Sequence, residues 1–139
     1  NKEDVLALDS AKKEFDRRVD DLNKLIGFGA KVITGSDSSW GDYQLGNTVY
    51  EVECLELAGL SRSQSLKSVT RDSAISIGVD QSVGTLEKGK EADILVLEKD
   101  PYDDIDNLWR VQDVFLGGNI LNRGSSNSLN SMRQFPPRA

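Results

Sequence analysis

The sequence predicts an α+β chain, helical in its first half and β-rich in its second. Three observations carry this reading. Apolar residues recur every three or four positions from Leu8 to Ile26, two helix-start signatures fall between Thr48 and Gln64, and after Gly84 short aliphatic runs alternate with glycine turns. A length of 139 residues suits one hydrophobic core, so the chain is expected to fold or dock as one unit.

Leu8, Ala11, Phe15, Val19, Leu22 and Ile26 line one face of the first helix, with Lys12, Lys13, Asp16, Arg17, Asp20 and Asp21 between them. Glycine beyond a helix end takes the left-handed conformation without a Cβ penalty, so the helix is expected to stop at Gly27, reinforced by Gly29. Lys31-Val32-Ile33-Thr34, bounded by glycines, reads as a brief buried strand that leaves Asp37 just past its C-terminal end. Residues 38–47 hold Trp40, Gly41, Tyr43 and Gly46 without usable periodicity and read as a loop. Thr48 with Glu51, and Ser61 with Gln64, have the capping-box spacing in which hydroxyl and carboxylate or amide satisfy orphan N–H groups reciprocally. Two short helices are therefore expected. The first ends at Gly59; the second, with Leu66, Val69, Ala74 and Ile77 inward, ends at Gly78.

Beyond Gly84 the pattern predicts a strand at Leu86, a turn over residues 87–90 and a second strand over residues 92–97. Residues 100–106 form an acidic loop, and residues 111–116 are expected to pair across Gly117-Gly118 with Ile120-Leu121 as a hairpin. From Arg123 onward Ser, Asn, Gly and Pro dominate, which predicts a frayed or disordered tail over residues 123–139.

Composition excludes several functions. With 37% hydrophobic and 29% charged residues, the chain has no apolar run near the roughly 20 residues that span a bilayer. A net charge of −6 repels phosphate backbones, and no basic cluster with interleaved aromatics offsets it, so nucleic-acid binding is not expected. No targeting signal is visible, and a cytoplasmic setting is the expectation. The single Cys54, among Val52, Leu55 and Leu57, reads as a small buried hydrophobe. Absence of histidine excludes Ser-His-Asp and Cys-His nucleophiles and removes the commonest transition-metal ligand.

Gly27-Phe28-Gly29 follows a helix instead of a strand and lacks the third glycine of a dinucleotide fingerprint. Asp100, Asp103, Asp104 and Asp106 are interrupted by Pro101 and lack the glycine and terminal glutamate of a calcium loop, so they read as a solvated turn. Asp37 differs, because a carboxylate projected from a strand end sits where parallel α/β folds assemble active sites. Position alone leaves it two roles: a functional carboxylate, or a cap or turn residue beside Ser36 and Ser38.

The order of elements then matters. A helix and a strand ending Thr34-Gly35-Ser36-Asp37-Ser38 precede an aromatic loop, two helices and the segment Gly84-Thr85-Leu86-Glu87-Lys88-Gly89-Lys90-Glu91-Ala92-Asp93-Ile94-Leu95-Val96-Leu97. This order, with Ala58-Gly59-Leu60-Ser61, Thr70-Arg71-Asp72-Ser73-Ala74, Gly78-Val79-Asp80, Asp100-Pro101 and Val114-Phe115-Leu116-Gly117-Gly118, resembles the C-terminal part of the amidohydrolase superfamily. Its imidazolonepropionase-like and prolidase-like members are the nearest in pattern.

The resemblance implies an α/β parent in which residues 1–78 are the C-terminal end of a TIM-like barrel and residues 79–122 are strands of a composite β-sandwich. It implies hydrolysis of C–N bonds, in amides, cyclic amides or dipeptides, with Asp37 contacting a divalent metal, zinc by family habit, and serving as general base. Trp40 and Tyr43 would fall where family members contact a small-molecule substrate. The family's HxH motif, its bridging ligand and its later histidines have no counterpart here, so the chain alone is expected to bind metal poorly and to be inactive. The alternative is a non-catalytic interaction module, self-associating as a homo-oligomer through exposed strand edges.

Overall fold

The computed structural model describes residues 2–36 and 46–122, the side chains of residues 2 and 3 excepted. The order is α1 (Lys2–Gly27), α2 (Thr48–Leu57), α3 (Arg62–Val69), α4 (Arg71–Ser76), β1 (Ile94–Leu97), a 3-10 helix (Ile105–Trp109), β2 (Val111–Leu116) and β3 (Asn119–Ile120). The chain is thus a helical half followed by a small antiparallel sheet in the order β1-β2-β3.

The first helix starts earlier than its periodicity required, and its closing bonds lie beyond Gly27. Gly29 N–H donates to the Ile26 carbonyl at 2.9 Å and Ala30 N–H to that of Leu25 at 3.0 Å, so the left-handed residue is Gly29 (φ 87°), two positions past the expected stop. Its apolar stripe is only partly covered. Val19, Leu22 and Ile26 are half-buried, whereas Leu8 is 72% and Phe15 48% exposed, and the described contacts of α1 with other elements fall near its C-terminal end. One such contact is Asn23, whose side-chain amide donates to the Ala58 carbonyl at 3.3 Å.

Residues 31–34 do not form the expected buried strand. Val32 and Thr34 are half-buried while Lys31 and Ile33 are exposed, the alternation of an extended segment with one covered face. Among the described residues no strand lies alongside, so no ladder forms. Thr34 N–H instead donates to the Ser68 carbonyl on α3 at 3.4 Å.

Of the two capping boxes, one forms. The Ser61 hydroxyl accepts from Gln64 N–H at 3.4 Å, and the Gln64 side chain accepts from Ser61 N–H at 2.9 Å. At α2 the N-cap is Asn47, one residue before Thr48, and it makes no side-chain cap bond, so the Thr48–Glu51 box is absent. The second predicted helix is broken in two at Thr70 (φ −118°, ψ −97°). Side chains satisfy groups freed by the break: the Ser73 hydroxyl donates to the Ser68 carbonyl at 2.5 Å and the Thr70 hydroxyl to that of Leu66 at 2.9 Å. Ala74 faces the interior as expected, but the break rotates Ile77 outward, to 71% exposure, and leaves Leu66 and Val69 half-buried, with Ser65 and Ser68 buried in their place.

Gly84 explains where the break sits. Its backbone lies so close to the α3–α4 junction that a Cβ there would stand 2.6 Å from Ala74 Cβ and 3.3 Å from both Arg71 Cα and the Thr70 carbonyl. No strand forms at Leu86, which is 78% exposed, and β1 begins only at Ile94. Residues between are held by turns and by Glu91 N–H donating to the Ser82 carbonyl at 2.8 Å, so the loop closes on itself before it can pair.

In the sheet β1 pairs with β2 in the register Ile94↔Phe115, Leu95↔Val114, Val96↔Asp113 and Leu97↔Val111, with a bulge at Val96/Leu97. The expected hairpin forms, with Phe115↔Ile120 and Leu116↔Asn119 paired. Gly117 (φ 55°) and Gly118 (φ 79°) occupy the two positive-φ positions of a tight turn whose twist matches the strands. Asp93 pins it, accepting from Gly117 N–H at 2.7 Å, while Gly118 N–H donates to the Ala92 carbonyl at 3.0 Å.

The acidic loop is more ordered than expected. Asp104 caps the 3-10 helix by accepting from Asp106 N–H at 3.0 Å, and Ile105, 2% exposed, enters the core with Val52, Ala58, Leu60 and Ala74. Two side chains bolt this region to the helices, and a third ties it to itself. The Arg62 guanidinium donates to the carbonyls of Tyr102 (2.9 Å) and Asp103 (2.6 Å) and pairs with Glu56 at 2.9 Å. The Trp109 indole N–H donates to the Glu53 carboxylate at 2.5 Å, and the Asn107 amide to the Asp100 carbonyl at 2.8 Å. Arg62→Ala is expected to destabilise the chain by about 1–2 kcal/mol, since the pair is partly solvated but two carbonyls lose a charged donor. Urea unfolding measures this; an unchanged midpoint would contradict the clamp.

Candidate functional site

The residues singled out from the sequence, Asp37, Trp40 and Tyr43, lie outside the described residues, as does the expected tail over residues 123–139. The surroundings of the 37–45 segment are described on both sides. It leaves the extended run 31–36, whose Ser36 is half-buried, and re-enters at Asn47, 3% exposed, directly before α2.

Helix α3 supports the run leading to Asp37. Ser65 and Ser68 are fully buried, and their small side chains leave room for the 31–36 backbone where Thr34 N–H meets the Ser68 carbonyl. The Ser68 hydroxyl donates to the Ser65 carbonyl at 2.6 Å, whereas the Ser65 hydroxyl has no partner among the described residues. A buried hydroxyl without a partner costs stability, so Ser65→Ala is expected to be neutral or stabilising by up to about 1 kcal/mol. A drop in thermal midpoint on this substitution would show that the hydroxyl is satisfied in solution.

Helix α2, which follows the segment, carries Tyr50 and Cys54 one turn apart. Burial, and then a hydrogen bond between its hydroxyl and Cys54, pushes the Tyr50 phenol up to about 12. Cys54, expected as a small buried hydrophobe, is half-buried. The other large electrostatic effect is remote: Arg17 and Arg18, bonded to the exposed Glu14, hold its carboxyl down at about 2 on α1.

Among the described residues no three of His, Cys, Asp and Glu gather as a metal-ligand group, and the sequence holds no histidine. Nor is any helix of the described residues long and apolar enough to cross a membrane. The long-range contacts of Arg62, Glu53 and Trp109 escaped sequence reasoning, since nothing in local spacing marks partners 40 and 56 residues apart.

Comparison with known proteins places these elements. An imidazolonepropionase of Thermoplasma volcanium is 28% identical over 110 residues, covering 76% of this chain and 27% of that protein. Among solved structures, a candidate prolidase of Bifidobacterium longum superposes with a TM-score of 0.66 at 30% identity, covering 75% of this chain and 26% of its own. A Xaa-Pro dipeptidase with methionine bound in its active site superposes with a TM-score of 0.67 at 24% identity, covering 74% of this chain and 25% of that one, a likeness of fold. This chain therefore spans about a quarter of the length of these relatives. The model of the amidohydrolase family matches residues 4–121, and with the helix, extended run, helices and sheet in that order the chain belongs to the amidohydrolase family.

Proposed function

We propose that this chain forms the C-terminal part of a metal-dependent hydrolase of C–N bonds, with Asp37 as its general base. The observation that carries the reading is the family match over residues 4–121, which runs through the extended segment preceding Asp37. Residues 1–78 would close the barrel, residues 79–122 would form part of the β-sandwich beside it, and residues 123–139 would trail as a tail. In the described run, Val32, Thr34 and Ser36 share the half-buried face, while Ile33 and Gly35 share the exposed one.

Asp37 would accept a proton from the attacking water and return it to the departing nitrogen, the two proton transfers that amide hydrolysis requires. The family's divalent metal, zinc by habit, would activate that water, but the described residues do not form a site for it. Asp37 would contact it, and its remaining ligands would come from the other parts of the barrel. Trp40 and Tyr43 would line the substrate side. Imidazolonepropionate and a Xaa-Pro dipeptide are the first substrates to test. The chain alone is expected to show no turnover, whereas a protein joining it to a complete barrel hydrolyses one of them. Turnover by the isolated chain, or none by the longer protein on any C–N substrate tried, would overturn the proposal.

A second reading, self-association without catalysis, is favoured by one feature. Among the described residues no strand pairs with the outer edges of β1 and β3, and Leu95, Leu116 and Ile120 are 48%, 57% and 60% exposed. Sedimentation of the isolated chain is then expected to show a weight-average mass that rises with concentration. A compact monomer at all concentrations would exclude it.

A further inference from the structure

We draw no further inference here: the strongest candidate, the exposed apolar face of α1 formed by Val5, Leu8 and Phe15, carries nothing because nothing in the structure shows what covers it.

Discussion

Asp37→Asn is expected to lower kcat by about 10²–10⁴-fold in a protein that joins this segment to the remainder of an amidohydrolase barrel. Asparagine keeps the size of the side chain and most of its hydrogen-bonding capacity, so folding and substrate binding are conserved. It cannot accept a proton at neutral pH, however, and that is the function assigned to Asp37. The loss corresponds to about 3–5 kcal/mol of transition-state stabilisation, and it is expected in kcat and kcat/KM alike with KM unchanged. Steady-state kinetics on wild type and variant, with circular dichroism to verify the fold, provide the test. Undiminished turnover would remove Asp37 from the mechanism. A rise in KM with kcat preserved would reassign it to substrate binding.

The largest effect on stability is expected from Gly84→Val, at about 3–5 kcal/mol. Two costs combine at this position. At φ 94° a β-branched residue is strained by about 1–3 kcal/mol, and the new Cβ would stand 2.6 Å from Ala74 Cβ with helix backbone on its other side. Neither neighbour is the free end of a flexible side chain, so relief requires the loop to lift off the α3–α4 junction. Gly89 separates the two costs: its φ is 97°, yet a Cβ added there would meet nothing within 4 Å, so Gly89→Ala is expected to lose only about 1 kcal/mol. Urea midpoints compared at equal m-value measure both. Equal losses at the two sites would show that conformation alone, and not the close approach to Ala74, constrains Gly84.

The role proposed for Asp37 rests on its neighbours in the sequence. A strand-end carboxylate has several possible roles, and it was the order of helix, strand, loop, helices and sheet that pointed to catalysis. Trp40 and Tyr43 rest on the same order. The family match over residues 4–121 agrees with the extent read from the motifs, roughly from the first helix to the end of the hairpin. Inward and outward faces were less legible. The stripe from Leu8 to Phe15 has helical periodicity, but periodicity says only that a face is apolar and not that this chain covers it. Leu86 and residues 31–34 have strand-forming composition, yet a strand needs a neighbour to bond, and the described residues provide none.

What the sequence determined by itself was the local structure whose partners lie within a few residues. The Ser61–Gln64 box, the Gly117-Gly118 hairpin and the helical period of α1 each depend on contacts one turn away, so spacing and residue type suffice to specify them. The tertiary structure decided the rest. The break at Thr70 occurs where Gly84 packs against the helix junction, and the 3-10 helix is held by Arg62 and by the Glu53–Trp109 bond from residues far away in the chain. Whether those groups meet depends on how the whole chain closes, because a hydrogen bond between residues 56 positions apart leaves no periodic trace in the sequence.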